Sequence, residues 1–159
     1  MTGDDQAKAV RFAHWRDVAA ADRDRPGVVW RWKDFTPEEM ADRDSGELVI
    51  VPAFMDWLQG LRSCFDRAMP VSSGYRTAAH QRRIDGRETG AHVDAMAADI
   101  LIANPHGHQL AKLAFAFGAL GVGVHQDPET PRGQRYIHLD CWSSAPEGAR
   151  PALWSYARD

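Results

Sequence analysis

One carboxylate inside an apolar run constrains this chain more than any other feature. Residues 96–102 read Met96-Ala97-Ala98-Asp99-Ile100-Leu101-Ile102, the pattern of a buried strand. An isolated charge there would lose on the order of several kcal/mol of solvation, so Asp99 requires a cation or hydrogen-bond donors. His92 lies seven positions earlier. An odd separation places two residues on opposite faces of one continuous strand. The two can converge only if the chain bends between them. The expectation is therefore His92 on a loop, a bend near Asp94-Ala95, and Asp99 on the strand.

A last strand is expected over residues 135–141. In Tyr136-Ile137-His138-Leu139-Asp140-Cys141, side chains alternate between faces. Ile137, Leu139 and Cys141 form a wholly apolar face, while Tyr136, His138 and Asp140 share the other. That second face either looks to water or presents an imidazole and a carboxylate to a cleft; this segment alone leaves both open. Two imidazoles and one carboxylate are the donor set of a catalytic zinc site, in which three protein ligands leave a fourth position for water. The remaining net charge of about +1 acidifies that water and polarises a carbonyl. Of the seven histidines, His14 falls in the expected first helix, and His106 and His108 sit at a helix start with no partner at ligand spacing. Cys64 and Cys141 match no zinc-ribbon spacing and read as two buried free thiols. Any metal site here must use His and carboxylate ligands.

The other elements follow from local signals. A helix over residues 6–22 would carry Val10, Phe12, Ala13 and Trp15 on an irregular apolar face and end at Pro26. Thr36-Pro37-Glu38-Glu39 is a helix start with N-cap, first-position proline and capping box, and Asp44-Ser45-Gly46 is a turn. Over 52–68, Phe54, Trp57, Leu58, Leu61 and Phe65 form one apolar stripe, read as core packing. Residues 70–74 read as a strand, and Thr77 to Asp85 as a helix closed by Gly86. Asn104-Pro105 opens a helix by the same cap logic, with Leu110, Leu113, Ala114 and Phe117 as its stripe. Val122 and Val124 suggest a strand among glycines, and 126–134 a polar loop. Trp154 and Tyr156 suggest that the tail docks on the domain. Helices mixed with short strands joined by tight turns give an α+β class, a small antiparallel sheet with flanking helices.

A chain of 159 residues suits a single domain over 1–159. Nineteen basic against 22 acidic residues give a net charge of −3, which argues against nucleic-acid partners or a broad basic surface for lipid. No apolar run approaches the roughly 20 residues that span a bilayer. The acidic start, Met1-Thr2-Gly3-Asp4-Asp5-Gln6, does not read as a secretory signal, so cytoplasmic synthesis is the expectation.

These residues resemble the zinc D-Ala-D-Ala carboxypeptidases and murein hydrolases, a peptidase M15-like family that shares its fold with the amino-terminal signalling domain of hedgehog proteins. The family pattern reads here as Ser73-Gly74-Tyr75-Arg76, then His92 with Asp99 seven residues later, then His138-Leu139-Asp140. Gly121-Val122-Gly123-Val124 resembles its glycine-rich strand. The likeness runs from about Phe35 to Trp142, in order. It implies zinc on His92, Asp99 and His138, with Asp140 orienting a ligand from behind. It also implies that Arg76 binds a substrate carboxylate or a developing oxyanion, which suits a permanently charged fork donor. His80 reads as structural. The chain departs from the pattern at Gly90, at Ala95 and above all at Arg135. Relatives often place an acid at the Arg135 position as general base, and a guanidinium cannot take that proton. His125, Asp127, Glu129 and Asp140 are the substitutes considered, His125 as an acid-base group pointing into the cleft.

The resemblance implies a zinc metallopeptidase that cuts amide bonds in peptidoglycan stem peptides or D-Ala-D-Ala-like peptides, and a monomer is the expectation. Family habit adds delivery to the wall by a phage lysis or tail system, or action on cytoplasmic precursors. The main rival is a catalytically impaired zinc-binding module that holds cell-wall peptides, such as a phage structural component, and Arg135 is its best support. A metal-dependent nucleic-acid enzyme is a third reading, disfavoured by the acidic balance.

Overall fold

The computed structural model describes residues 9–18 and 30–156. The capping box forms as its residue types require: Thr36 Oγ1 accepts from the Glu39 N–H, and Glu39 reaches back to the Thr36 N–H, which starts α1 (Pro37–Met40). The 52–68 stripe becomes α2 (Pro52–Phe65), with Phe54, Leu58 and Leu61 fully buried. It stops three residues short of the expected end because Asp66 turns left-handed at φ 53°. Thr77 and Gly86 cap α3 (Ala78–Asp85) at its two ends. The next helix, α4 (His106–Ala116), starts one residue later than the Asn104 cap predicts. Asn104 still serves the helix, since its side-chain oxygen accepts the His108 N–H.

Seven strands accompany these helices among the described residues: β1 (Val10–Phe12), β2 (Leu48–Ile50), β3 (Val71–Ser73), β4 (Ala97–Leu101), β5 (Gly121–His125), β6 (Tyr136–Asp140) and β7 (Ala152–Ser155). The first is a correction. In place of the helix expected over 6–22, β1 pairs antiparallel with β2, and a single 3-10 turn, Trp15–Asp17, follows under a His14 cap. An irregular apolar face has nothing to lay on a core, whereas an extended Phe12 buries its ring and Val10 pairs with Ile50. The rest of that span, with Pro26, lies outside the described residues. Cys64 is a second correction: both thiols are free, but only Cys141 is buried.

The main sheet has the order β3-β4-β6-β5-β7. It is antiparallel except at β7, which joins the β5 edge in parallel and was not foreseen as a strand. The period-two alternation sorts the faces. Ile100, Ile137, Leu139 and Val122 are buried on one face, toward the core that includes α2 and α4. The other face carries the polar set. Register places Ser73, Asp99, His138, Gly123 and Trp154 side by side in one row across all five strands. The two β5 glycines are spacers. A Cβ on Gly123 would lie 2.7 Å from the Trp154 ring, and one on Gly121 would overlap the Asp140 carboxylate. No described helix is long and apolar enough to cross a membrane.

Candidate metal centre

His92 sits on a turn, as the odd spacing to Asp99 requires. The Asp94 N–H donates to Gly90, the Ala95 N–H to His92 and the Met96 N–H to Ala91, and Ala95 absorbs the bend at φ 55°. His92 then faces the same side of the sheet as Asp99 and His138. Their relative exposures are 6 %, 6 % and 5 %. His92 Nε2, His138 Nδ1 and Asp99 Oδ1 form a small triangle with edges of 3.2, 2.9 and 3.3 Å. Ligands about 2.0–2.1 Å from a tetrahedral zinc stand about 3.3 Å apart. The donor set therefore fits that ion closely, and among the described residues it is the one His/Cys/Asp/Glu group able to hold a metal.

Each corner is braced from outside. His92 Nδ1 lies 2.6 Å from the Gly74 carbonyl, which fixes that nitrogen as the donor and leaves Nε2 free to ligate. Gly74 is a glycine for a steric reason, since a Cβ there would sit 2.6 Å from the Met40 carbonyl oxygen. Asp99 keeps Oδ1 in the triangle and takes a 2.7 Å ion pair from Arg76 on Oδ2. His138 Nε2 donates to Asp140 Oδ2 at 3.1 Å, leaving Nδ1 pointing inward. Two imidazoles, each with one nitrogen turned toward the centre, and a carboxylate are the donor set that a catalytic metal needs.

The electrostatics follow from the same contacts. Burial opposes the charge on Asp99, but His92 and His138 outweigh it and hold the carboxyl well below the usual range. Burial likewise opposes charge on Asp140, yet bonds from His138 and Arg150 hold it at about 2. Burial wins at His92, whose pKa lies below the ordinary imidazole value. At His138 burial loses to Asp140 and Asp99, and the value lies above it. The centre thus holds two carboxylates at neutral pH, each paired with a guanidinium, Asp99 with Arg76 and Asp140 with Arg150.

The triangle opens onto a cavity of about 660 Å³. Arg76 lines it, with its three nitrogens on Asp99, Ser73 and Gln81, so this arginine braces the Asp99 corner while bordering the space a substrate would enter. His125 shares this face of the sheet but stacks on Tyr136 at 4.7 Å and is not among the cavity-lining residues. Asp127 and Glu129 also lie outside the lining, and Asp140 stands behind His138. Arg135 turns away, giving its guanidinium to the Thr130 and Pro128 carbonyls and so pinning the 126–134 loop. His80 is structural as expected, bonded to buried Asp42.

Sequence reasoning missed Tyr136, Asp85, Trp154 and Arg150, all of which line the cavity. Tyr136 carried a usable signal, because it shares the period-two face of His138. Trp154 signalled only that the tail docks, and Arg150 carried no signal, because their place depends on the parallel pairing of β7.

Residues 33–140 match the family model described as Peptidase M15. No curated protein and no solved structure gave a significant match to the chain.

Proposed function

The chain belongs to the peptidase M15 family, and from that premise we propose that it is a zinc metallopeptidase hydrolysing amide bonds in peptidoglycan stem peptides. The observation that carries this reading is the triangle itself: three buried donor atoms at zinc-ligand spacing, each braced from outside, lining an open cavity. A zinc ion on His92, Asp99 and His138 would supply a Lewis acid and an acidified water.

The surrounding side chains define the rest of the chemistry. Arg76 borders the site with a permanent positive charge, suited to an anionic substrate group or to charge building on the carbonyl oxygen. Tyr136 lines the same cavity. Burial, then the Asp99 charge, raises its pKa, so the phenol stays protonated at neutral pH and can donate toward the oxygen or the leaving nitrogen. Besides Asp99, Asp85 is the one carboxylate lining the cavity among the described residues, which makes it a candidate for the role of the acid that Arg135 replaces.

The test is release of peptide amines from purified peptidoglycan. Activity that stops with chelator and returns with zinc supports the reading; full activity in the zinc-free protein rejects it. The turned-away Arg135 also favours a second reading, a zinc-holding module that binds stem peptides without cutting them. Tight zinc binding with no turnover of any cell-wall peptide would select it.

A further inference from the structure

We propose that Arg150 is a positioning residue of the metal centre, acting through Asp140 on the His138 ring. Asp140 is fully buried and stands on the site face of β6. Arg150 Nε lies 3.1 Å from both of its oxygens, and Nη2 lies 2.7 Å from Oδ2. That same Oδ2 accepts from His138 Nε2. The chain of contacts is therefore guanidinium, carboxylate, imidazole, ligating nitrogen. Asp140 also takes the Trp142 N–H on Oδ1. Without Arg150, the buried carboxylate would lose the guanidinium that grips both of its oxygens and would be free to turn. That turn removes the fixed acceptor that aims His138 Nδ1 at the centre.

Arg150 is itself built into place. Its guanidinium carbon lies 5.1 Å from the Trp154 ring and 5.5 Å from the Trp142 ring, and Nη1 donates to the Ala149 carbonyl. Trp142 in turn donates its indole N–H to Asp94, in the turn that follows His92. The segment after β6 thus ties both imidazole-bearing elements together. The family match ends at residue 140, so this brace comes from a part of the chain beyond it. Gly121 keeps the space open, since a Cβ there would lie 2.6 Å from Arg150 Nε.

This inference rests on the metal reading but not on amide hydrolysis. The test compares the full chain with Arg150→Ala, Arg150→Lys and Leu110→Ala. Leu110→Ala opens a cavity under the opposite face of the sheet and reports what loss of stability alone does. Zinc affinity is read by competition with a chromogenic chelator, and cobalt-substituted protein by its visible absorption. Outer-shell changes of this kind cost about 10–100-fold in metal affinity. Arg150→Ala should therefore bind zinc at least about tenfold more weakly with a changed cobalt spectrum. Arg150→Lys should fall between it and the parent, because an ammonium cannot grip both oxygens as a fork. Leu110→Ala should bind as the parent does.

Parent-like affinity and spectrum in Arg150→Ala would overturn the proposal, as would an equal loss in Leu110→Ala. If the alanine variant does not fold, Arg150→Lys decides: unchanged affinity overturns it, weakened affinity with a shifted spectrum supports it. A parent chain that binds no zinc removes the metal reading and this inference with it. A parent that binds zinc tightly while Arg150→Ala matches it removes this inference alone.

Discussion

Replacing Asp42 by Asn should destabilise the protein far more than an isosteric change suggests. Asp42 is buried in the turn between α1 and β2, and its carboxylate gathers three segments. Oδ1 accepts from the Asp44 and Ser45 N–H groups and from the Ser45 hydroxyl. Oδ2 lies 2.8 Å from both the Thr77 N and His80 Nδ1. A carboxamide can serve only one of these sets with its oxygen. Its NH₂ then meets the Thr77 N–H, leaving buried donors unpaired at about 1–3 kcal/mol each. With the lost charge assistance, the expected cost is about 3 kcal/mol, or roughly 6–12 °C in melting temperature for a chain of this size. Burial raises the Asp42 pKa, but the Thr77 and Ser45 N–H groups outweigh it, and the folded value lies below the unfolded one. The stabilisation is thus fully present above the unfolded value of about 3.9 and is lost as pH falls through the folded value. Urea melts at neutral pH and in a series below pH 4 should show a gap between parent and variant that narrows with acid. A gap under about 1 kcal/mol at neutrality, or one unchanged in acid, would refute this reasoning.

Three further outcomes follow from the same contacts. Gly74→Ala puts a methyl into the Met40 backbone; it should cost about 1–3 kcal/mol in a thermal melt and weaken zinc binding by shifting the carbonyl that holds His92. Gly123→Ala should lift Trp154 off the sheet, seen as a change in tryptophan fluorescence with a similar loss of stability. Zinc at 100 times its dissociation constant should add about 2.7 kcal/mol, raising the melting temperature by roughly 5–11 °C, and His138→Ala should abolish the increment.

Much of the site was legible because its constraints are local. Asp99 in an apolar run demanded a partner, and the odd spacing to His92 demanded a bend, which Ala95 supplies at positive φ. The alternation in β6 told the core face from the site face. Caps at Thr36, Thr77 and Gly86 marked helix ends because each satisfies backbone groups within a few residues. What stayed hidden is non-local. A three-residue strand such as β1 carries too few positions for any period, and its pairing with β2 decides its conformation. β7 joins β5 through a parallel register that no nearby residue specifies, so Trp154 and Arg150 could not be assigned to the cavity wall. Arg135 was legible as a missing base, but its grip on the 126–134 loop was not, because those carbonyls belong to an irregular segment.

The central claim is that His92, Asp99 and His138 share one metal ion. Zinc content and affinity, measured on the purified full chain beside His92→Ala, Asp99→Asn and His138→Ala, test it most directly. One tightly held zinc per parent chain, with the affinity collapsing in every variant, is the result expected. A parent that retains no zinc, or any variant that holds it as tightly as the parent, would contradict the account.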